Sequence, residues 1–314
     1  MKRLLFLLFP FFVTSLYGQS SRYILDADTG NEMDDYYAIV RALVEPDFDV
    51  IGLNSAQYDA VKIFQDSVWN GEPVKEFSSV KVSQQLNETI LATLDRSELP
   101  HPLGSSTIFG YAWGYYKGAR IPQSAASDFI IAEARKHSPE NRLNVITIGA
   151  STNVAAAIAK APEIADRLCV YLLGTQYNPE TKIWNKSEFN IRNDLNAFDF
   201  IMNNQELEVY VMSIKVIRQL VLQRKESQQR LRAYHHPTTD LLADVWDHIH
   251  AGKDRIMWDL GLVEAIIHPE FAKIETHPAP PENKRKTVKV YTHCNVQAME
   301  DDFWNSLDAY FKNH

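Results

Sequence analysis

Short apolar segments alternate with helical segments along most of this sequence. The apolar segments are near-continuous, without the polar–apolar alternation of a strand that has one face in water. The segments between them place apolar residues at helical spacing, as at Tyr36, Ile39, Val40 and Leu43. A repeated strand-then-helix order favours an α/β fold with a mostly parallel sheet flanked by helices. The predicted strands lie at 22–26, 48–56, 142–150, 167–174 and 207–214.

The second half of the chain is richer in helical patterns. Helices are predicted over 238–252 and 254–268, a late strand over 287–296 and a terminal amphipathic helix over 299–314. No linker or internal repeat divides these segments, and 314 residues with 45% hydrophobic content suffice for a full core. Residues 20–314 are therefore predicted to form a single domain.

The first 19 residues have the layout of a secretory signal peptide. Lys2 and Arg3 precede an apolar stretch over 4–13, which small and polar residues follow. That stretch is short for a bilayer span, which needs about 20 residues. A signal peptide over 1–19 predicts a secreted or periplasmic protein with no membrane attachment after cleavage. An N-terminal anchor and a buried strand are the alternative interpretations.

Charge and cysteine content argue against two other kinds of protein. The net charge of -8, without a basic stripe, disfavours a nucleic-acid partner. The two cysteines, Cys169 and Cys294, are too few for a disulfide framework. Both are expected to be buried free thiols.

An acidic cluster follows the first predicted strand. Asp26 and Asp28 lie at the end of that strand, and Asp34 and Asp35 begin the next helix. Four carboxylates this close repel one another unless a cation neutralises them, and hard oxygen ligands suit Ca²⁺ or Mg²⁺. Helix capping by Asp34 and Asp35 is the alternative explanation. Since sites form beyond the carboxyl ends of parallel strands, the loops after the third and fourth strands are expected beside this cluster.

Five segments, in order, resemble the inosine–uridine-preferring nucleoside hydrolase family. The stretch "LDADTGNEMDDYYAI" is similar to that family's Asp-x-Asp-Pro-Gly-x-Asp-Asp opening. The later segments that resemble it are "SDFIIAEAR", "NVITIGASTNVAAAIAKAPEIADRLCVYLLG", "SEFNIRNDLNA" and "MWDLGLVEAIIHPE". Together they cover roughly residues 22–270. The resemblance implies a Rossmann-like, mostly parallel sheet flanked by helices, commonly in a homo-oligomer.

The same resemblance implies a Ca²⁺-dependent hydrolase that cleaves the N-glycosidic bond of a ribonucleoside or a related small ribosyl compound. Asp28 matches the general base, which is also a calcium ligand. The other implied calcium ligands are Asp35, Asp259 and the backbone carbonyl of Thr152. The implied substrate-binding residues are Asp34, Glu188 and Asn190, which match positions that hold sugar hydroxyls, and Trp258.

Two departures from the family pattern lie near the first strands. Five residues rather than three separate Asp28 from Asp34, so Asn31 or Glu32 is expected to enter the site. The family's asparagine after the second strand has no clear counterpart, and Asp59 and Gln57 are the candidates.

Two further departures concern the leaving base. Trp258 replaces the histidine that helps to protonate the base in purine-favouring members, and an indole is suited to stacking on a base or sugar face. The family's His-Gly loop is not visible near 105–118, where five aromatic residues stand instead. That segment is either a mobile wall over the leaving group or a partly buried loop.

Three other functions fit parts of the sequence. One is a secreted nucleoside- or sugar-binding protein without turnover, and another is a hydrolase of a different glycosyl substrate. The third is a haloacid-dehalogenase-type phosphatase, in which Asp26 and Asp28 would form the nucleophile motif. Gly30, where that class has Thr or Val, and the adjacent Asp34 and Asp35 argue against the phosphatase.

Overall fold

The computed structural model describes residues 21–59, 77–248 and 252–312. The predicted signal peptide lies outside these residues. The strands are β1 (Arg22–Ala27), β2 (Asp49–Ser55), β3 (Leu143–Thr147), β4 (Leu168–Leu173), β5 (Glu208–Met212), β6 (Val221–Gln223), β7 (Asp254–Ile256), β8 (Ala272–Pro278) and β9 (Thr287–Cys294). Seven of them form one sheet in the order β2-β1-β3-β4-β5-β9-β8, and β6 and β7 form a separate two-stranded ribbon.

The helices of the described residues lie mostly between these strands. They are α1 (Asp34–Val44), α2 (Ser79–Thr93), α3 (Ala125–Ala134), α4 (Thr152–Lys160), α5 (Phe189–Asn193), α6 (Leu195–Asn203), α7 (Ile214–Ile217), α8 (Arg224–Arg232), α9 (Pro237–His248), α10 (Trp258–Ile267) and α11 (Val296–Phe311). Short 3₁₀ helices cover Pro162–Arg167 and Pro269–Phe271. No helix among the described residues is long and apolar enough to cross a membrane.

The large sheet is mostly parallel, as the sequence predicted. β1, β2, β3, β4, β5 and β9 pair in parallel, and the edge strand β8 pairs with β9 in antiparallel. In the register, Asp26 of β1 lies opposite Asn54 of β2 and Thr147 of β3. These strands therefore end side by side, and the loops that follow them meet at one edge of the sheet.

Helices cover both faces of the sheet, and successive strand residues face opposite cores. Ile24 and Val145 belong to the core under α3, α4 and α6. Leu25 and Ile146 belong to the core under α1, α10 and α11. Burial on both faces explains why the strands are apolar without alternation. The Rossmann-like α/β architecture is confirmed.

The structure differs from the sequence-based expectation in several segments, of which two are instructive. The helix predicted over 254–268 begins at Trp258, because residues 254–256 form β7 and pair with β6. The strand β8 was not predicted, since its exposed polar residues give no apolar run. Cys169 and Cys294 are buried and free, as expected.

A buried ion pair between Arg41 and Glu264 joins α1 to α10. Arg41 is fully buried, and its Nε donates to Glu264 Oε1 of α10 at 2.8 Å. Its other nitrogens donate to Glu45 at 2.8 Å and to Asp302 of α11 at 2.5 Å. A buried guanidinium is stable only when carboxylates take its donors, so this contact fixes the relative position of three helices.

Replacement of Arg41 tests this contact. We expect Arg41→Met to lower the free energy of unfolding by about 3–5 kcal/mol, because Glu264 is left buried without its partner. The measurement is urea denaturation followed by circular dichroism. Arg135→Met is the matched control, because it removes an exposed arginine that pairs with Glu163, and we expect a change below about 1 kcal/mol. Equal changes in the two variants would contradict the structural role of Arg41.

Candidate functional site

A cavity of about 280 Å³ opens at the edge of the sheet where the parallel strands end. Its walls come from the loops after β1, β3 and β4, from the start of α7 after β5, and from the N-terminus of α10. The lining residues are Asp28, Asn31, Glu32, Asp34, Asp35, Ile148, Leu173, Gln176, Ser187, Glu188, Phe189, Asn190, Ile214, Trp258 and Asp259. The polar loops that the sequence placed at one edge therefore line a common cavity.

The loop between β1 and α1 turns sharply to present its carboxylates. The Asn31 N–H donates to the Asp28 carbonyl at 3.1 Å, and Gly30 between them has φ +97°, which favours glycine. The turn leads into α1, whose first turn contains Asp34 and Asp35, both buried. Gly149, in the connection after β3, lies so near Asp28 that a Cβ at this position would stand 2.8 Å from the Asp28 side chain.

Three aspartates from two helix N-termini form a cluster that is suited to a cation. One carboxylate oxygen from each of Asp34, Asp35 and Asp259 lies within 4.8 Å of the other two, and all three residues are buried. Asp259 stands in the first turn of α10, and its backbone N–H donates to Asp34 Oδ2 at 3.1 Å. The positive ends of two helix dipoles thus meet at the cluster and partly offset its negative charge.

Burial and mutual repulsion raise the pKa of the three clustered aspartates and of Asp28. Burial is the largest cause for Asp28, Asp35 and Asp259, whose pKa values stand well above the usual range, and neighbouring carboxylates add to it. Burial, followed by the charge of Glu32, raises the pKa of Asp34 to about 7, while Arg255 lowers it. These carboxylates are unfavourable in their ionised form unless further positive charge is present.

The donor atoms at the cluster fit a hard divalent cation. Asp28 Oδ2 and Asp35 Oδ1 are buried and have no hydrogen-bond partner among the described residues. A buried carboxylate oxygen without a partner is costly, whereas Ca²⁺ and Mg²⁺ take oxygen ligands of this kind. By geometry, Asp34, Asp35 and Asp259 are the group that could hold such an ion, and Asp28 lines the same cavity.

Glu188 and Asn190 line another part of the cavity and are held rigidly. The Glu188 carboxylate accepts the backbone N–H groups of Asn190, Ile191 and Thr175 at 3.0, 3.2 and 3.3 Å. Asn190 Nδ2 donates to the Ile148 carbonyl at 2.9 Å. Burial raises the pKa of Glu188, although those backbone donors oppose the shift. Fixed carboxylate and amide groups of this kind are suited to binding hydroxyls.

Thr152 is the one predicted site residue that does not line the cavity. Its Oγ1 donates to Asp194 Oδ2 at 2.7 Å, within a buried network that also binds the Phe109 N–H. The residue of this strand–helix connection that does line the cavity is Ile148. The other predicted site residues, Asp28, Asp34, Asp35, Glu188, Asn190, Trp258 and Asp259, all line it.

Several other candidates from the sequence lie outside the cavity lining. Asp26 Oδ1 accepts from Asn153 Nδ2 at 2.8 Å, which links β1 to α4. Gln57 Nε2 donates to the Asn193 carbonyl at 3.3 Å, and Asp59 accepts from Ser79. These contacts give the three residues a role in joining elements of the fold.

The aromatic segment 105–118 also lies away from the cavity. Phe109 is fully buried, and its ring stacks on Tyr115 with the centroids 4.2 Å apart. Trp113, by contrast, is 71% exposed. None of these three lines the cavity, so the structure agrees with a partly buried loop.

Some lining residues carried no sequence signal of their own. Gln176, Ser187, Phe189 and Ile214 follow the strands β4 and β5. Ser187 and Phe189 belong to a segment that resembles the family and the other two only follow a strand, and the sequence does not show which loop residues turn inward. The longer acidic loop was expected to bring Asn31 or Glu32 into the site, and both residues line the cavity.

Comparison with known proteins matches nearly the whole chain to one family. The family model described as inosine-uridine preferring nucleoside hydrolase matches residues 23–301. A probable uridine nucleosidase 2 from Arabidopsis thaliana is 26% identical over 215 residues, which is 65% of this chain and 62% of that protein. An uncharacterized protein of Schizosaccharomyces pombe is 23% identical over 210 residues, with coverage of 63% and 62%. The chain thus matches 62% of the length of each of these relatives.

Solved structures share the fold. A purine-preferring ribonucleoside hydrolase from Gardnerella vaginalis superposes with a TM-score of 0.67 at 20% identity, over 94% of this chain and 100% of that one. An inosine-uridine preferring nucleoside hydrolase from Bacillus anthracis gives a TM-score of 0.64 at 14% identity, over 94% and 100%. At these identities the likeness supports the fold.

The raised carboxyl pKa values predict a specific pH dependence of stability. The pKa of Asp34 is about 7 in the folded protein and about 4 when unfolded, so the folded state binds more protons between these values. Stability from this group is therefore full at low pH and is lost as pH rises through 7. With chelator present, we expect the thermal midpoint to fall between about pH 5 and pH 8, measured by scanning calorimetry.

A divalent cation should reverse this loss. We expect Ca²⁺ to raise the midpoint by about 4–8 °C at pH 8 and by less than half of that at pH 5, where protons already neutralise the cluster. In chelator at pH 8, Asp34→Asn should raise the midpoint, because it removes one repelling charge. A Ca²⁺ effect that does not depend on pH would contradict the electrostatic account.

Proposed function

The chain belongs to the inosine-uridine preferring nucleoside hydrolase family, and from that premise we propose that it hydrolyses the N-glycosidic bond of a ribonucleoside or a related ribosyl compound. The observation that carries this proposal is the cavity itself. Asp28 and the cluster of Asp34, Asp35 and Asp259 line a cavity that also contains the fixed polar pair Glu188 and Asn190. The products would be a free base and ribose.

Asp28 is proposed as the general base. It is buried and lines the cavity, and its Oδ2 has no hydrogen-bond partner among the described residues. Burial raises its pKa well above the usual aspartate range, which strengthens a carboxylate as a proton acceptor. Asp28 would take the proton from the attacking water, and the neighbouring carboxylates would stabilise the positive charge that develops on the sugar.

Ca²⁺ is the proposed cofactor. When bound, it would lower the pKa of the attacking water and neutralise the carboxylates. We assign Asp28, Asp35 and Asp259 as its side-chain ligands. The resemblance also implied a backbone carbonyl from Thr152, but Ile148 is the residue of that connection that lines the cavity. We therefore propose that Ile148 supplies the carbonyl.

The substrate would be held by its sugar and stacked by its base. Asp34, Glu188 and Asn190 are proposed to bind the ribose hydroxyls, which orients the bond to be cleaved. Trp258 lines the cavity at the start of α10 and is proposed to stack on the base. The relatives are named for different bases, uridine in Arabidopsis thaliana and purines in Gardnerella vaginalis. Their names therefore do not assign a base to this chain.

The proposal also includes export of the protein and its assembly into a homo-oligomer. The basic and then apolar N-terminus supports export to the periplasm or the medium, where nucleosides are available outside the cell. The resemblance to the family supports a homo-oligomer. Mass determination of the secreted protein would test both the cleavage near residue 19 and the oligomeric state.

The decisive experiment is ribose release from a panel of purine and pyrimidine ribonucleosides. The mature protein is incubated with each nucleoside, in Ca²⁺ and in chelator, and free reducing sugar is assayed. Release that requires Ca²⁺ is the expected result. Saturable nucleoside binding without release would instead identify a binding protein, and release from another ribosyl compound alone would change the substrate.

Asp28→Asn tests the general base at nearly constant volume. We expect kcat to fall by roughly 10²–10⁴-fold, because an amide accepts no proton from water. The circular dichroism spectrum should stay unchanged. Asp128→Asn is the matched control, since Asp128 is an exposed residue of α3 that pairs with Lys160, and its kcat should stay within about twofold of the unaltered protein. Turnover retained in Asp28→Asn would refute the assignment of Asp28.

A further inference from the structure

The loop between Asp28 and Asp34 brings an additional carboxylate to the cavity. This loop is two residues longer than in the family pattern, and Glu32 within it lines the cavity. Its side chain is 36% exposed as a whole, with Oε2 buried against Arg255, whereas the aspartates of the cluster are buried entirely. Glu32 therefore stands toward the opening, outside the group of residues that would hold the cation.

Arg255 fixes the position of Glu32. The Arg255 guanidinium forms an ion pair with the Glu32 carboxylate. Arg255 lies in β7 opposite Leu222 of β6, and the Met257 N–H donates to the Leu220 carbonyl at 2.9 Å. The β6–β7 ribbon thus holds this arginine three residues before Trp258, and the contact of its Nη2 with Glu32 Oε2 restricts that carboxylate.

The negative charge of Glu32 is electrostatically unfavourable beside the acidic cluster. Its carboxylate raises the pKa of Asp28, Asp34, Asp35 and Asp259. A neutral residue in the loop would avoid this repulsion, and the structure instead supplies an arginine to compensate it. A compensated charge at a cavity opening is a typical means of binding a polar group of a ligand.

The residues around the cavity suggest which part of the substrate meets Glu32. Under the proposed function, Glu188 and Asn190 hold the sugar and Trp258 stacks on the base. Glu32 is tied by Arg255 to the chain segment that leads into Trp258. The edge of a base stacked on that indole would therefore be the polar group nearest to Glu32.

We propose that Glu32, held by Arg255, is a specificity-determining residue that accepts hydrogen bonds from N–H groups on the edge of the leaving base. This inference rests on the proposed function and adds the base preference to it. An ionised carboxylate only accepts hydrogen bonds, and it takes two adjacent donors best. Guanine presents two adjacent donors, N1–H and the 2-amino group, hypoxanthine presents N1–H alone, and unsubstituted purine presents none on that edge.

Three nucleosides with the same ring system test the proposal. Guanosine, inosine and purine riboside are compared in the unaltered protein and in Glu32→Gln, with Ca²⁺ present, by the ratio of kcat/KM. We expect Glu32→Gln to lower kcat/KM by about 30-fold for guanosine, about 5-fold for inosine and less than about 2-fold for purine riboside. Glu98→Gln, an exposed glutamate in the loop after α2, is the matched control and should leave all three unchanged.

Arg255→Met provides a second variant. It should give the same graded loss, because Glu32 loses the partner that fixes it. A loss of equal size with all three nucleosides in Glu32→Gln would overturn the proposal, since it would assign Glu32 to the cation or to the sugar. An unchanged kcat/KM for guanosine would overturn it as well.

Failure of the proposed function would look different. In that case the unaltered protein would release no base from any purine or pyrimidine ribonucleoside, these three included. Their dissociation constants, measured by calorimetry in the unaltered protein and in Glu32→Gln, then replace kcat/KM and should show the same grading. Equal dissociation constants in the two proteins would overturn the role of Glu32 independently of turnover.

Discussion

Repulsion among buried carboxylates is the constraint on which this structure depends. Asp34, Asp35 and Asp259 lie within one small volume, with Asp28 close enough to raise two of their pKa values. Two helix N-termini aim their positive ends at this volume, but partial charges of about one half each offset only part of the repulsion. The packing between α1 and α10 must therefore offset the electrostatic repulsion between the carboxylates at their N-termini. The buried Arg41–Glu264 pair joins these same two helices beneath the cluster and supplies such resistance.

The fold creates the site by bringing strand ends together. Parallel strands in register end at one edge, and the loops after β1, β3 and β4 all contribute to the cavity. Within that frame, the sequence predicted most of the candidate site. Asp28, Asp34 and Asp35 follow a recognisable strand within a few residues, so their proximity is a local property. Glu188 and Asn190 lie beyond the end of another parallel strand, where α/β folds form their sites, but only the family resemblance of their segment singled them out.

What the sequence could not supply depends on contacts between distant segments. Whether Thr152 or Ile148 lines the cavity depends on where β3 ends and on which residue of the connection turns inward. Composition marks the ends of strands poorly. Arg41 and Glu264 are 223 residues apart, so no spacing rule links them. Arg255 lay in a segment whose apolar spacing indicated a helix, because pairing with β6 overrides local propensity there.

The composition of the cavity bears on how a leaving group departs. The described residues that line it include six carboxylates, and none is a histidine, lysine or arginine. Once a bound cation ionises the carboxyl groups around it, this described lining offers no cationic proton donor, and its negative charge would favour a transition state in which the sugar becomes cationic before the base is protonated. The aromatic face of Trp258 suits such a reaction, because it can hold a departing base without giving it a proton. The replacement of the family's histidine by tryptophan is then compatible with turnover, provided that the sugar, rather than the base, carries most of the change in charge.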